Sequence, residues 1–173
     1  MKKASFDAIC KALQEARVPF LVVGGIAVIH HGYGRLTRDV DLVIRLEREV
    51  VQRAFAALES IGYRPSAPVS ADEFADPECR ERWKREKGMK VLKFWSDQHR
   101  ETPVDVFVEE PFDFQKSIEE ADTQETSPGV EVRIVSLETL LAMKAEAGRP
   151  QDLADIDELN LLHGKSSSYD LEG

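Results

Sequence analysis

Three aspartates carry the chemical content of this chain. Asp39 and Asp41 stand two apart in the apolar run "DVDLVIR", and Asp105 stands in a second such run, "PVDVFVE". Side chains two apart on a strand leave the same face, so Asp39 and Asp41 project together while Val40 and Leu42 point into a core. Carboxylates held side by side repel, and each tends to stay protonated unless a cation compensates. Oxygen ligands of this kind suit Mg²⁺, with substrate phosphates completing its shell. If the two runs are neighbouring strands, Asp105 meets the pair. Three carboxylates on adjacent strands are the ligand set of a two-metal phosphoryl- or nucleotidyl-transfer site. The plain structural alternatives are an ion pair of Asp39 and Asp41 with Arg35 or Arg38, and a solvent-facing edge carboxylate at Asp105. The flanking residues favour metal binding.

Those flanking residues fit a phosphate. Gly24 and Gly25 follow the apolar run "VPFLVV" and open a short helix, "IAVIHHG". Backbone N–H groups at such a turn can cradle a phosphate, and a missing Cβ lets it approach closely. The loop "GYGRLTRDVD" adds Arg35, Thr37 and Arg38 just before the aspartates, where an arginine can contact phosphate oxygens or pair with a carboxylate. Neither "GG" nor Asp-x-Asp is specific alone. The ordered combination of strand, glycine pair, helix, Arg/Thr loop, Asp-x-Asp strand and later Asp strand is specific.

The elements needed to position these groups are legible from periodicity. Residues 3–17 place Phe6, Ile9, Cys10, Leu13 and Ala16 on one helical face. Strands are expected at 18–23, 39–45, 89–96, 103–109 and 129–136, the third and fourth forming a hairpin across "DQHRET". Helices are expected at 47–60 and 113–121, after the Ser136 cap in "LETLLAMKAEAG", and in "RPQDLADIDELNLLHG" with Pro150 in its first turn. Residues 62–78 read as a loop or flap, and "CRERWKREKG" as one or two charged helical turns. The reading is α/β (α+β): a mixed sheet of about five strands flanked by five or six helices, one domain over 1–164 and a frayed polar tail over 165–173.

Composition narrows the class. The chain has 173 residues, 42% hydrophobic and 32% charged, with a net charge of −9. That balance suits a folded domain and argues against a broad basic surface that grips nucleic acid. No apolar run approaches a membrane span, and the start reads as an amphipathic helix instead of a signal peptide. With only Cys10 and Cys79, a reducing cytoplasm is the expected setting. The cysteines lie far apart without clustered histidines, so a zinc site is not expected. His30 and His31 read as one packed and one exposed, in preference to a ligand role.

The stretch "GGIAVIHHGYGRLTRDVDL" resembles the signature of the nucleotidyltransferase (polymerase-beta-like) superfamily. It is most similar to a small bacterial group that includes toxin components of abortive-infection-type toxin–antitoxin pairs. Gly24 and Gly25, Asp39 and Asp41, and Asp105 occupy the family's glycine, D-x-D and third-carboxylate places. The closing helices, "VSLETLLAMKAEAGRPQDLADIDEL", also match, with Lys144, Arg149, Asp152 and Asp155 in place and Gln151 where a lysine is common. The resemblance spans about residues 18–162. It implies a nucleotidyltransferase-like fold and transfer of NMP from an NTP to an acceptor hydroxyl, with release of pyrophosphate.

Under that resemblance Asp39, Asp41 and Asp105 hold Mg²⁺, two ions being expected. Gly24, Gly25, Arg35, Thr37, Arg38 and Lys144 meet the nucleotide. The acceptor is a tRNA end, a protein side chain or a small molecule such as an aminoglycoside. An antitoxin or a second copy of the chain is the protein partner the resemblance suggests, and no membrane partner is expected. The competing reading is a non-catalytic nucleotide-binding or toxin–antitoxin interaction module that keeps the fold. A purely structural protein leaves the strand carboxylates unexplained. Asp152 and Asp155 are expected to fix Arg149 or cap their helix.

Overall fold

The computed structural model describes residues 1–164, so the tail expected over 165–173 lies outside the described residues. Its centre is the strand β1 (Phe20–Val23), every residue of which is buried. A strand covered on both faces has no use for alternation, which is why "FLVV" is apolar throughout. Leu21, Val22 and Val23 are fully buried, and each such side chain contributes about 1.5–3 kcal/mol of burial free energy.

On one side of β1 lies β2 (Val40–Ile44), antiparallel, with Val23 opposite Asp41. On the other lies β7 (Val130–Ile134), parallel. Beyond β2 the sheet continues through β5 (Val104–Phe107), parallel to β2, and then β4 (Val91–Trp95), antiparallel to β5. The β4–β5 hairpin is the one expected from the sequence. Helix α1 (Lys3–Glu15) buries Phe6, Ile9, Cys10 and Leu13, the face its periodicity marks. It packs on β7 and on α3 (Arg48–Ser60), while the short α2 (Gly24–His30) packs against β1 and β2. Helices α7 (Leu137–Ala147) and α8 (Pro150–Leu162) close the chain as a pair.

Among the described residues the mixed sheet has seven strands, in the order β3-β4-β5-β2-β1-β7-β6, where about five were expected. Both additions are edge strands without an apolar pattern. β3 (Arg64–Pro65) has two residues, and a proline is tolerated there because an edge strand leaves one side unpaired. β6 (Asp122–Ser127), "DTQETS", has no buried residue and pairs along its backbone with β7, with a register shift between Glu125 and Ser127. The segment 62–78 is likewise not a plain loop. It contains β3 and α4 (Ala71–Ala75), which a Ser70–Glu73 capping box starts. Asp76 then caps α5 (Pro77–Lys87), whose eleven residues exceed the one or two turns expected and which Gly88 ends in a left-handed conformation. Helix α6 (Phe114–Glu119) falls where expected. The eight helices among the described residues exceed the five or six expected because α4 and the length of α5 lack an apolar period. No described helix is long and apolar enough to cross a membrane.

Candidate active site

Strand register assembles the three carboxylates. Asp41 and Asp105 are direct partners across the parallel β2–β5 pair. Asp39 precedes β2 by one residue and shares the face of Asp41. On the far side of Asp105, the antiparallel β4 places Lys93 directly opposite. The Lys93 ammonium lies 3.0 Å from Asp105 Oδ1 and 3.7 Å from Asp39 Oδ2, and it donates a hydrogen bond to Asp105 Oδ2 at 3.3 Å.

The electrostatics follow from this crowding. Burial, then the neighbouring Asp105 and Asp39, push the Asp41 carboxyl up to about 6, although the Gly25 N–H bonds it and Arg149 acts in the opposite direction. Burial also raises Asp105, against the pull of Lys93. Burial disfavours the charge on Lys93, but the aspartates outweigh it and raise the lysine above its ordinary value.

The glycine turn lies directly over the acids. Gly24 has φ +63°, and a Cβ there would collide with the Asp41 carboxylate. At Gly25 a Cβ would stand 2.5 Å from Thr37 Oγ1 and 3.3 Å from Arg35 Nη2. Both glycines are therefore required by close approach. Gly24, Gly25, Thr37, Arg35 and Asp41 all converge on the end of β1.

Arg35 is held in turn by Asp155, with Nε 2.9 Å from Oδ1 and Nη2 3.1 Å from Oδ2. Asp155 and Asp152 are 0% and 2% exposed. Buried carboxylates require partners, and Lys144 supplies both: its Nζ is 2.6 Å from Asp155 Oδ2 and 3.0 Å from Asp152 Oδ1. Arg149 Nε completes the chain of charges at 2.6 Å from Asp152 Oδ2. Burial works against the Asp152 charge, yet Arg149 and Lys144 hold its carboxyl below the ordinary range. Asp152 therefore fixes Arg149, as the sequence led us to expect, whereas Asp155, expected to do the same or to cap its helix, holds Arg35 and Lys144 instead. Lys144, expected to meet the nucleotide, is buried between α7 and α8, where it pairs with Asp152 and Asp155. Arg38 is exposed on the loop before β2.

Two contributors were not evident beforehand. Lys93 is the outward member of an alternating strand, and only its register with Asp105 gives it a place. Arg149 carries a side chain 75% exposed and acts electrostatically on Asp41. Its position in the closing-helix motif was the available signal.

The donor set fits a divalent cation. Asp105 Oδ1 is buried and accepts no hydrogen bond of good geometry among the described residues, while the Asp41 carboxylate lies against Gly24 in the place that a Cβ would take. The residues that would hold Mg²⁺ are Asp39, Asp41 and Asp105, all hard oxygen donors.

The fold is similar to that of ANT(2")-Ia in complex with adenylyl-2"-tobramycin: TM-score 0.58, 15% identity, covering 94% of this chain and 89% of that one. It is also similar to the lincomycin-bound lincosamide antibiotic adenylyltransferase LnuA, at TM-score 0.54 and 16% identity over 85% of this chain and 89% of that one. A third likeness is to an antigenic nucleotidyltransferase-like protein from Paracoccidioides brasiliensis, at TM-score 0.55 and 18% identity, covering 92% and 75%. No curated protein matches the chain by sequence. A family model described as "Nucleotidyl transferase of unknown function (DUF2204)" matches residues 2–171, nearly the whole length, and the chain belongs to that nucleotidyl transferase family.

Proposed function

We propose that the protein transfers a nucleoside monophosphate from an NTP to the hydroxyl of a small acceptor molecule, with Asp39, Asp41 and Asp105 as its metal-binding and catalytic carboxylates. The observation that carries this reading is the side-by-side register of Asp41 and Asp105 beneath the Gly24–Gly25 turn. In the transfer, an acceptor oxygen bonds to the α-phosphorus, the bond to the bridging oxygen of pyrophosphate breaks, and the hydroxyl proton is lost. Magnesium, when bound, neutralises the triphosphate and the charge that develops on the leaving group.

The chain's own residues position the reactants. The Gly24–Gly25 turn, Thr37 and Arg35 bind the phosphates, and exposed Arg38 and Arg149 add positive charge at the rim. Asp105 Oδ1, with a lone pair not used by hydrogen bonds, is placed to receive the acceptor's proton. Lys144 acts by holding Asp152 and Asp155, which orient Arg149 and Arg35, and does not itself touch phosphate. Positioning and charge stabilisation then account for most of the rate.

A small acceptor is favoured over tRNA by the net charge of −9. Similarity of fold to adenylyltransferases with an adenylylated tobramycin or a bound lincomycin points the same way. A toxin–antitoxin setting, an antitoxin partner and a cytoplasmic location rest on the sequence resemblance and cysteine usage. The second reading, nucleotide binding without turnover, is favoured by Lys93, whose ammonium already bridges Asp39 and Asp105.

The test is incubation with Mg²⁺, each α-labelled NTP and a panel of hydroxyl-bearing small molecules, with tRNA alongside. Transfer by the wild type and not by Asp39→Asn/Asp41→Asn supports the enzyme. Mg²⁺-dependent NTP binding without transfer to any acceptor supports the second reading.

A further inference from the structure

At the opposite end of α2 from the glycine turn, a second group of donors converges. His30 is the last residue of α2 and His31 its C-cap. Both face Asp122, the first residue of the edge strand β6. His30 Nε2 lies 2.9 Å from Asp122 Oδ2, and His31 Nδ1 lies 4.0 Å from the same oxygen. The two rings meet edge to face with centroids 5.0 Å apart. One ligand atom from each residue falls within 4.8 Å of the others.

The outer nitrogen of each ring is also engaged. His31 Nε2 lies 2.8 Å from the Val135 carbonyl oxygen, and His30 Nδ1 lies 3.1 Å from Gln124 Oε1. Oxygens of this kind only accept, so each outer nitrogen carries the proton. In a neutral ring the inner nitrogen is then a bare lone pair. With both rings neutral, two imidazole lone pairs and a carboxylate oxygen face one another. An ordinary ion pair accounts for only half of this. A protonated His30 can donate to both Asp122 and Gln124, but His31 Nδ1, 4.0 Å from Asp122 Oδ2, lies beyond hydrogen-bond reach of that oxygen.

We propose that His30, His31 and Asp122 bind a divalent transition metal, with Zn²⁺ the best match. Tetrahedral zinc with nitrogen and oxygen ligands separates them by about 3.3 Å, between the 2.9 and 4.0 Å distances present. A metal-bound histidine characteristically donates its other N–H to a carbonyl or carboxylate, as both rings do here. Two imidazoles and one carboxylate select zinc over magnesium, whereas the all-oxygen set around Asp41 selects the reverse. Three protein ligands leave a position for water. The site ties β6, which has no buried residue, to the helix whose first residues form the Gly24–Gly25 turn. It does not depend on the transfer reaction. The expectation of no zinc site considered cysteines and sequence neighbours, while Asp122 stands 92 residues from His30.

The test uses the full chain stripped of metal and titrated with Co²⁺ and Zn²⁺. The wild type should bind one Co²⁺ with the intense visible absorption of a tetrahedral centre, displaced by Zn²⁺, and should melt at higher temperature with Zn²⁺. Asp39→Asn/Asp41→Asn should keep this signal. His31→Asn should lose it, with affinity down at least about tenfold. Asp122→Asn, at an exposed position, should do the same with an unchanged circular dichroism spectrum, so that loss of binding is separable from loss of fold. A wild type without tetrahedral absorption, or a signal lost in Asp39→Asn/Asp41→Asn and kept in Asp122→Asn, would overturn the proposal.

Discussion

Asp41 and Asp105 are direct neighbours across a parallel strand pair, with Lys93 opposite Asp105 on its other side. The sheet thus holds two acids and a base in one row across three strands. Burial and mutual repulsion push Asp41 up to about 6, so the metal-free protein stores an unfavourable charge at neutral pH. In the unfolded chain the same carboxyl titrates near its ordinary value of about 3.9. Between these values the native state holds the proton more tightly, so the Asp41 contribution to stability is full below about pH 4 and is lost as pH rises through about 6. The loss amounts to about 2–3 kcal/mol at most. Thermal melts of the metal-free protein from pH 4 to 7 should therefore fall more steeply for the wild type than for Asp41→Asn. Saturating Mg²⁺ should flatten the wild-type slope. Parallel slopes for the two proteins would remove the charge argument.

Lys93 sits where a cation is wanted. Its ammonium must give way, at least in part, when a metal takes Asp105 and Asp39. Replacing it with Met leaves three carboxylates without their internal counter-ion. Lys93→Met should destabilise the metal-free protein by about 1–3 kcal/mol and bind Mg²⁺ more tightly than the wild type. Calorimetric titration with Mg²⁺ checks the second effect. Weaker Mg²⁺ binding in the variant would mean that Lys93 supports the metal instead of standing in for it.

Gly24 allows no side chain. At φ +63° a Cβ meets the Asp41 carboxylate, and the left-handed backbone costs a further 1–2 kcal/mol or so. Gly24→Ala should lower both stability and NTP binding. Gly25→Ala has no such backbone strain, and its Cβ meets the Thr37 hydroxyl. It should fold more stably than Gly24→Ala and still lose NTP affinity. Paired denaturation curves and nucleotide titrations distinguish the two.

The sequence displayed what is periodic or locally patterned. The five core-forming strands, the amphipathic α1 and α3, the β4–β5 hairpin and the ordered glycines and aspartates were all legible. Missing were features set by long-range pairing. "DTQETS" carries no apolar alternation, so β6 is visible only once β7 is there to pair with it. The Ser70–Glu73 capping box and the Asp76–Pro77 start of α5 were readable signals, hidden by the absence of an apolar stripe behind them. Lys93 and the Arg35–Asp155 pair depend on register and on contacts across more than half the chain, which no local pattern encodes.

The charged network behind the site gives the sharpest contrast between holding and contacting. Lys144 is 5% exposed and is shared by Asp152 and Asp155. Removing one partner of a buried ion pair leaves an uncompensated charge and costs about 3–5 kcal/mol. Lys144→Met should therefore unfold the protein or lower its stability by that amount. Arg149 pairs with the same Asp152, but its side chain is 75% exposed, and Lys144 remains to balance the carboxylate when it is removed. Arg149→Met should cost less than about 1 kcal/mol. If Arg149 faces the triphosphate, however, that variant should raise KM for NTP and weaken the dependence of KM on salt. Denaturant titration of both variants and NTP kinetics of Arg149→Met make the comparison. A Lys144→Met protein of wild-type stability that cannot bind NTP would reverse the assignment, making Lys144 a phosphate ligand after all.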